Sequence, residues 1–491
     1  MAAPSLVHLC ILLSLVTLAP SFTKSTRQYD SEAYTSIFIS QNGLEFLKNF
    51  LISRSISSFI PLKIPNLERT EKLPLVGNLR MTLSNITIDE IDLSKSYVKT
   101  GEGGVVIIAS GTTSNITMDW SYEYLTWLFP FEIRDSGSAF AQVEGMEVGL
   151  TLNLKIEDNS LKLVLIDHGC HVKDISIKLN GGSSWLYQGL LDAFQDQIMS
   201  AVENLIANKL ADGVSKLNEF LKSLPREVPV DDSASLNLTI VESPIISNFY
   251  IQFQLSGLFT PRNIDQMPIL GWKPPNSNHD SIVKCSDQTK MLGISLNEEV
   301  FTSASALYYN ANFMEFTVDK IPEQSFLNTT GWRFIVPQLY KTYPNHAMNL
   351  NITLSSPPIA NVSENGIDAT VYADVVINVL ESNGTIPVIC ISLVIRGEGI
   401  VRVKGNKIGG SMKLRDFTMV LKWSKIGKLR MNLIQPVIRT LIQTVFVPFA
   451  NARLEKGFPL PIIDGFALLN AEISFSDSSI SVCGDVSYDQ F

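Results

Sequence analysis

The sequence predicts an α+β protein built from two similar units in tandem, each an antiparallel sheet with two helices. Three observations carry that class. Long stretches such as NLRMTLSNITIDEIDL and GLTLNLKIEDNSLKLVLI alternate apolar with polar residues between Gly, Asn and Asp turns, which is the period of half-buried strands. Two long segments carry apolar residues every three or four positions, the period of helices. The order of strands, long helix, Leu-Pro and strand then occurs twice, with Pro225 and Pro461 about half the chain apart.

The chain opens with MAAPSLVHLCILLSLVTLAPSFTKS, whose apolar run from Leu6 to Leu18 is too short to span a bilayer. Small residues at Ala19 and Ser21 suit cleavage after Ser21, so residues 1–21 read as a secretory signal and the product as secreted and extracellular. A helix follows, with Leu44, Leu47, Leu51, Ile56, Phe59 and Ile60 at helical spacing, and it stops at Pro61. From Leu75 to Ile166 the pattern is that of strands. Ser183 or Ser184 then caps a helix of about 40 residues, on the order of 60 Å long. Its stripe is Leu186, Leu190, Phe194, Ile198, Val202, Leu205, Val214, Leu217 and Leu221, and charges such as Asp192, Glu203 and Lys216 exclude a membrane span.

TPRNIDQMPILGWKPPNSNHDS, with four prolines and few periodic apolar residues, reads as an extended linker. Beyond it the strand-like AMNLNITLSS, TVYADVVINVL and GSMKLRDFTMVLKW lead to a second helical segment. That segment carries Leu433, Val437, Leu441, Val445, Phe449 and Leu454, and Pro436 and Pro448 should kink it or mark its start. No segment after the signal is an uninterrupted apolar run of spanning length.

Composition narrows the function. Hydrophobic residues make up 45 % and charged residues only 18 %, against roughly 25 % charged in ordinary domains, so the interior is large or the protein carries something apolar. A formal net charge of −9 argues against nucleic acid as a partner. Asn-x-Ser/Thr occurs at Asn85, Asn115, Asn237, Asn328, Asn351, Asn361 and Asn383, consistent with a secreted glycoprotein. Cys170, Cys285, Cys390 and Cys483 remain after the signal, and their spacing does not choose among three full pairings.

No nucleophile elbow, phosphate loop, zinc-protease motif or Cys-x-x-Cys is present, so neither an enzyme nor a cofactor is expected. DHGCHV offers Asp167, His168, Cys170 and His171, but a metal site needs three of them to point inward from one short stretch. A strand end with a disulfide or a buried cysteine is the plainer reading, and no metal is expected. Between Arg402 and Arg430 lie nine basic residues and one acid, Asp416. Arg402, Lys404, Lys413, Arg415 and Lys422 are candidates for an anion-binding strip on one sheet face, with an ordinary solvated face as the alternative. DWSYEYLTWLFPFEIRD packs six aromatic rings into seventeen residues. Its rings either fill a core or, for Trp120, Trp127 and Phe129, form a tip that meets lipid.

ISQNGLEFL, the long helix after the Cys170 strand, the proline-rich linker, FPLP after the last helix, LYYNANFMEFTV and NLNITLSSPPIA together resemble one family over nearly the whole mature chain. It is the family of bactericidal/permeability-increasing (BPI) and lipopolysaccharide-binding (LBP) proteins, extending to phospholipid and cholesteryl-ester transfer proteins, and the chain looks most like its plant members. The resemblance implies two BPI-like barrels joined by a central sheet in an elongated boomerang. They would span 24–258 and 286–491 with a linker at 259–285. Each barrel would hold phospholipid in an apolar pocket, with Leu186, Leu190, Phe194 and Ile198 lining the first.

The implied function is binding of bacterial lipopolysaccharide or phospholipid, with a membrane surface as partner, in innate antimicrobial defence. The alternative is a carrier of host phospholipid with no immune role. Two departures matter. Animal members link the strand matching Cys170 to the long helix by a disulfide; the matching helix position here is Ile206, so Cys170 is free or paired elsewhere. Animal lipopolysaccharide binders also carry a lysine-rich tip, and the matching stretch has Asp119, Glu123, Glu132 and Asp135 against the single cation Arg134.

Overall fold

The alternating segments pair into antiparallel sheets, as a side-chain period of two requires when one face is buried. The computed structural model describes residues 32–73, 77–93, 95–125, 133–181, 184–262, 283, 285, 287, 289–320 and 324–488. The signal at 1–21 and most of the predicted linker lie outside the described residues. Six helices accompany the sheets among the described residues: α1 Gln41–Phe59, α2 Ser184–Ser223, α3 Glu298–Asn310, α4 Pro337–Thr342, α5 Met431–Leu441 and α6 Val447–Leu454.

The first large sheet has eight strands. Its main path runs through Leu62–Lys63, Gly77–Asp92, Gly104–Leu125, Ile133–Glu157 and Ser160–His171, and three shorter strands pair onto the long ones. One register of each strand faces inward: Met118, Trp120 and Tyr122 are buried, as are Met81 and Leu83 on the neighbouring strand. Over that face α2 lays Phe194, Ile198, Val202 and Ile206, one per helical turn and all buried. Each such side chain contributes roughly 1.5–3 kcal/mol of apolar burial. Farther along α2, Asn218 bonds both the N–H and the C=O of Leu163 at 2.8 Å, which satisfies the backbone of the outer strand.

The second large sheet has seven strands and repeats the plan. Met348–Leu354, Gly366–Glu381, Gly384–Lys404 and Lys407–Ser424 form its body. Here α5, a π-turn at Ile442–Phe446 and α6 lie over the inner face.

A third sheet joins the copies. It takes Ile240–Ile246, Tyr250–Leu255 and Thr35–Ser40 from the first half and Leu292–Asn297, Ser479–Tyr488 and Phe466–Ser476 from the second. At its middle Ile37 pairs with Ile294, and each of these two central strands runs directly into a helix, α1 or α3. The duplication read from Pro225 and Pro461 is thus also present in the strand–helix pair that opens each half. A disulfide joins Cys285 to Cys483, with Cα atoms 5.7 Å apart, and ties the start of the second half to Ser479–Tyr488, the strand that pairs directly with Leu292–Asn297.

Three expectations need correction. The linker boundary at 259 falls in a strand, Phe259–Pro261, because Phe259 is buried with its ring 5.2 Å from Phe458. In α1 the apolar stripe is incomplete: Leu51 is exposed while Lys48 is buried, held by Glu45 at 2.7 Å and by the Ser96 carbonyl at 2.6 Å. Burial works to raise the Glu45 carboxyl, but Lys48 and the Val98 N–H outweigh it and hold it below its ordinary range. Finally, Met431–Leu454 is long and apolar enough to cross a membrane by length and composition. Its prolines and scattered Gln, Asn and Arg hid that in the sequence. In the fold its apolar side is spent on the barrel interior, and Gln435, Arg439, Gln443 and Thr444 face outward.

Candidate functional site

The two helix-covered interiors are the candidate sites. In the second barrel the sheet presents Leu350, Ile352, Ala373, Val375, Leu393 and Ile395. Ile438 and Leu441 of α5 and Ile442 and Phe446 of the π-turn close over them, leaving a cavity of about 20 Å³. A space that size holds on the order of one water molecule, whereas a site for a larger ligand takes roughly 300–1,000 Å³. As closed here, the second interior has no room for a ligand of that size.

The cover is built weakly along its own axis. Pro436 lies inside α5 and Pro448 in the first turn of α6, and each lacks an amide hydrogen. The Pro448 ring also opposes a regular α-helical approach to the carbonyl of Thr444, and the backbone widens there into the π-turn. The sequence marked these prolines as interruptions; the side chains they bring over the sheet follow only from the fold.

In the first barrel Phe194 and Ile198 are buried between α2 and the sheet. Leu186 and Leu190 belong to α2, but their side chains lie outside the described residues, as do Trp127 and Phe129. Trp120 corrects the tip assignment. It is fully buried, its indole N–H donates to the carbonyls of Ser138 at 3.1 Å and Asn180 at 3.2 Å, and its ring stacks 6.2 Å from Tyr122. In the inward register, this side chain cannot reach lipid at the surface.

The basic strip is exposed but not continuous. Arg415 is paired with Asp368 at 2.8 Å and Lys422 with Asp374 at 2.6 Å. Burial tends to raise the Asp374 carboxyl, yet hydrogen bonds from Lys422 and Ser392 prevail and hold it below the usual range. These acids come from the strand Gly366–Glu381, outside the stretch whose charges were counted, so the run alone overstates the free charge. Arg402, Lys404 and Lys413 have no ion-pair partner among the described residues.

Cys170 and Cys390 are free thiols. Burial, then the charge of Glu203, pushes the Cys170 thiol up to about 12, which keeps it protonated and unreactive at neutral pH. Ile206 is buried in the core nearby. Among the described residues no group of three or more His, Cys, Asp or Glu could hold a metal ion. Asn237 is a poor glycan acceptor, contrary to its sequon: it is 5 % exposed and its side-chain oxygen accepts the Thr239 N–H at 2.9 Å. Asn85, Asn361 and Asn383 are exposed, and Asn115, Asn328 and Asn351 half-buried.

Two family profiles cover the chain: "LBP / BPI / CETP family, N-terminal domain" over residues 43–224 and "LBP / BPI / CETP family, C-terminal domain" over 229–488. A BPI/LBP family protein of Arabidopsis thaliana is 56 % identical over 480 residues, covering 98 % of this chain and 96 % of the relative. A bactericidal permeability-increasing protein of Sebastes schlegelii is 26 % identical, with 98 % and 99 % covered. Human lipopolysaccharide-binding protein is 22 % identical, with 92 % of each chain covered. The crystal structure of a lipopolysaccharide binding protein matches with a TM-score of 0.65 at 19 % identity, over 94 % of this chain and all of that one, which shows the fold.

Proposed function

Because the chain belongs to the LBP/BPI/CETP family, we propose that it is a secreted lipid-binding glycoprotein that takes acyl chains between helix and sheet in each barrel. The ligand class is lipopolysaccharide or phospholipid, and the setting is innate recognition of bacteria. The observation that carries this reading is the second barrel's interior, lined by apolar side chains under a helical cover with two prolines and a π-turn. Burying ~30 methylenes is favourable by roughly 20 kcal/mol gross at about 0.8 per methylene. Most of that only matches what the chains gain in a bilayer, so loading and release occur at lipid surfaces. The family, the apolar interiors and the absence of an enzyme motif all support a binding protein rather than a catalyst.

The test is mass spectrometry of lipids that co-purify with the secreted protein, followed by displacement with lipopolysaccharide. Bound lipid displaced by lipopolysaccharide supports the immune reading; empty barrels sink both readings.

One observation favours the second reading, a carrier of host phospholipid. The only cation in the stretch 119–135, Arg134, is paired with Glu123 at 3.3 Å. Attraction of lipid A phosphates at that place is thereby weakened, while the apolar interiors are unaffected. Phospholipid that lipopolysaccharide does not displace would select the carrier.

A further inference from the structure

The end of the second barrel away from the joining sheet has a character unlike the rest of this acidic chain. Register places three pieces there. Met348 pairs with Val379, Val379 with Ile386, and Ile389 with Ser424, so the turn after Glu381, the segment leading into Met348 and the segment leaving Ser424 share one end. Two hydrogen bonds close it: Leu380 N–H to the Ala347 carbonyl at 2.8 Å and Lys425 N–H to the Val388 carbonyl at 2.9 Å. Beneath, Trp332 and Leu339 are buried in the barrel core with Val388 and Ile434.

Both segments lack acids. Residues 324–347 contain Arg333, Lys341 and His346 and no Asp or Glu; residues 417–454 contain Lys422, Lys425, Lys428, Arg430, Arg439 and Arg453 and no Asp or Glu. In a chain of net charge −9 that is a local reversal of sign. Lys422 is taken by Asp374, but Arg333, Lys341, Lys425, Lys428 and Arg430 are exposed with no ion-pair partner among the described residues. Acids bound both segments in the chain, Glu323 before the first and Asp416 and Glu455 on either side of the second, and Glu381 lies on the adjoining turn; of these Asp416 is paired with Arg396 at 3.0 Å.

Aromatic rings stand among these cations. Phe334 is 79 % exposed, the most exposed large apolar side chain among the described residues, and the Arg333 guanidinium lies 4.9 Å from its ring centre. Trp423 is 36 % exposed with the Lys425 ammonium 5.8 Å from its ring, and Leu433 is 41 % exposed. An exposed phenylalanine gains nothing from water; amid unpaired cations it suits a surface with anionic headgroups above and hydrocarbon below.

We infer that this end of the second barrel docks on a phospholipid bilayer bearing anionic headgroups, with Lys425, Lys428 and Arg430 meeting phosphate and Phe334 entering the interface. It is separate from the interiors that would hold lipid, and does not depend on them. The experiment is flotation of the full-length secreted protein, N-glycans released because Asn383 lies on the adjoining turn, with phosphatidylcholine vesicles with and without phosphatidylglycerol.

Wild type should float with the anionic vesicles and not with the neutral ones. The triple variant Lys425→Gln, Lys428→Gln, Arg430→Gln should lose about fivefold in affinity per charge, on the order of 100-fold together. Arg333→Gln with Lys341→Gln, on the other segment, should lose on the order of 30-fold. Phe334→Ser, which takes nothing from the core, should abolish the binding that survives high salt. Lipid co-purifying with each variant should be unchanged, which separates failure here from failure of the barrels to load. Wild-type binding by the two charge variants overturns the inference. So does loss of binding to lipopolysaccharide micelles alone, or equal binding of free inositol hexakisphosphate, which would make this an anion site with no bilayer.

Discussion

Gly293 sits under the Cys285–Cys483 bond, paired across the sheet with Cys483 on one side and Phe38 on the other. A Cβ there would stand 2.6 Å from Val283 and 3.0 Å from the Cys285 sulfur. Gly293→Ala should cost about 1–3 kcal/mol, read as a lower midpoint in urea, while a neutral result would mean the sulfur moves aside freely. Glu299 makes a prediction with a sign. Burial, then the neighbouring charge of Glu298, raises its carboxyl, and one of its oxygens has no hydrogen-bond partner among the described residues. Its folded value lies above its unfolded one, so stability falls as pH rises from the unfolded value through the raised one. Glu299→Gln should therefore raise the melting temperature at pH 7 and give no gain at pH 4; equal gains at both would exclude the carboxylate's charge as the cause. Neither effect could be read from the sequence, where Gly293 and Glu299 are an ordinary strand glycine and helix glutamate. What was legible was periodicity: Phe194 and Ile198 follow the stripe of α2 inward, and Met118, Trp120 and Tyr122 share an inward register. The tip assignment of Trp120 failed because one register serves either core or lipid, and only the pairing partners decide which.

For the elements, the cover of the second barrel is the informative case. Ile438 lines the cavity and Gln443 faces outward on the same helical run. Ile438→Ala should cost about 2–5 kcal/mol, and Gln443→Ala should stay within about 0.5 kcal/mol. Chemical denaturation of both variants distinguishes them; comparable losses would mean the cover is not packed as described. The helices were legible because 3.6-residue periodicity survives over 20 to 40 residues, and α2 begins at Ser184, where a cap was expected. The partners of the basic strip were not legible. Ion pairs such as Lys422 with Asp374 and Arg415 with Asp368 join positions 48 and 47 residues apart, and charge counting along a strand cannot see across to its neighbours.

At the scale of the molecule the joining sheet governs how the halves respond together. Its central pair brings Thr35–Ser40 against Leu292–Asn297, so strands from opposite halves meet by hydrogen bonds. On the far side of α1, Phe50 packs 5.3 Å from Phe466 and 4.6 Å from Tyr488, linking the first helix of one half to the last hairpin of the other. Tandem duplication was readable from the repeated Leu-Pro, but a shared sheet was not: a linker predicts two bodies that fold alone, whereas backbone pairing between halves predicts one. The disulfide adds a second tie, closing a loop with a sequence separation of 198. With it intact, hydrogen exchange in rising denaturant should release the strands 104–125 and 384–404 over one common range, although they lie in different barrels. Replacing Cys285 and Cys483 by Ser should cost about 2–5 kcal/mol and loosen Ser479–Tyr488, the strand beside the central pair. The two barrels should then exchange over separate ranges. Separate ranges in the intact protein would show that the shared sheet does not couple them, and each barrel would have to be treated as its own folding unit.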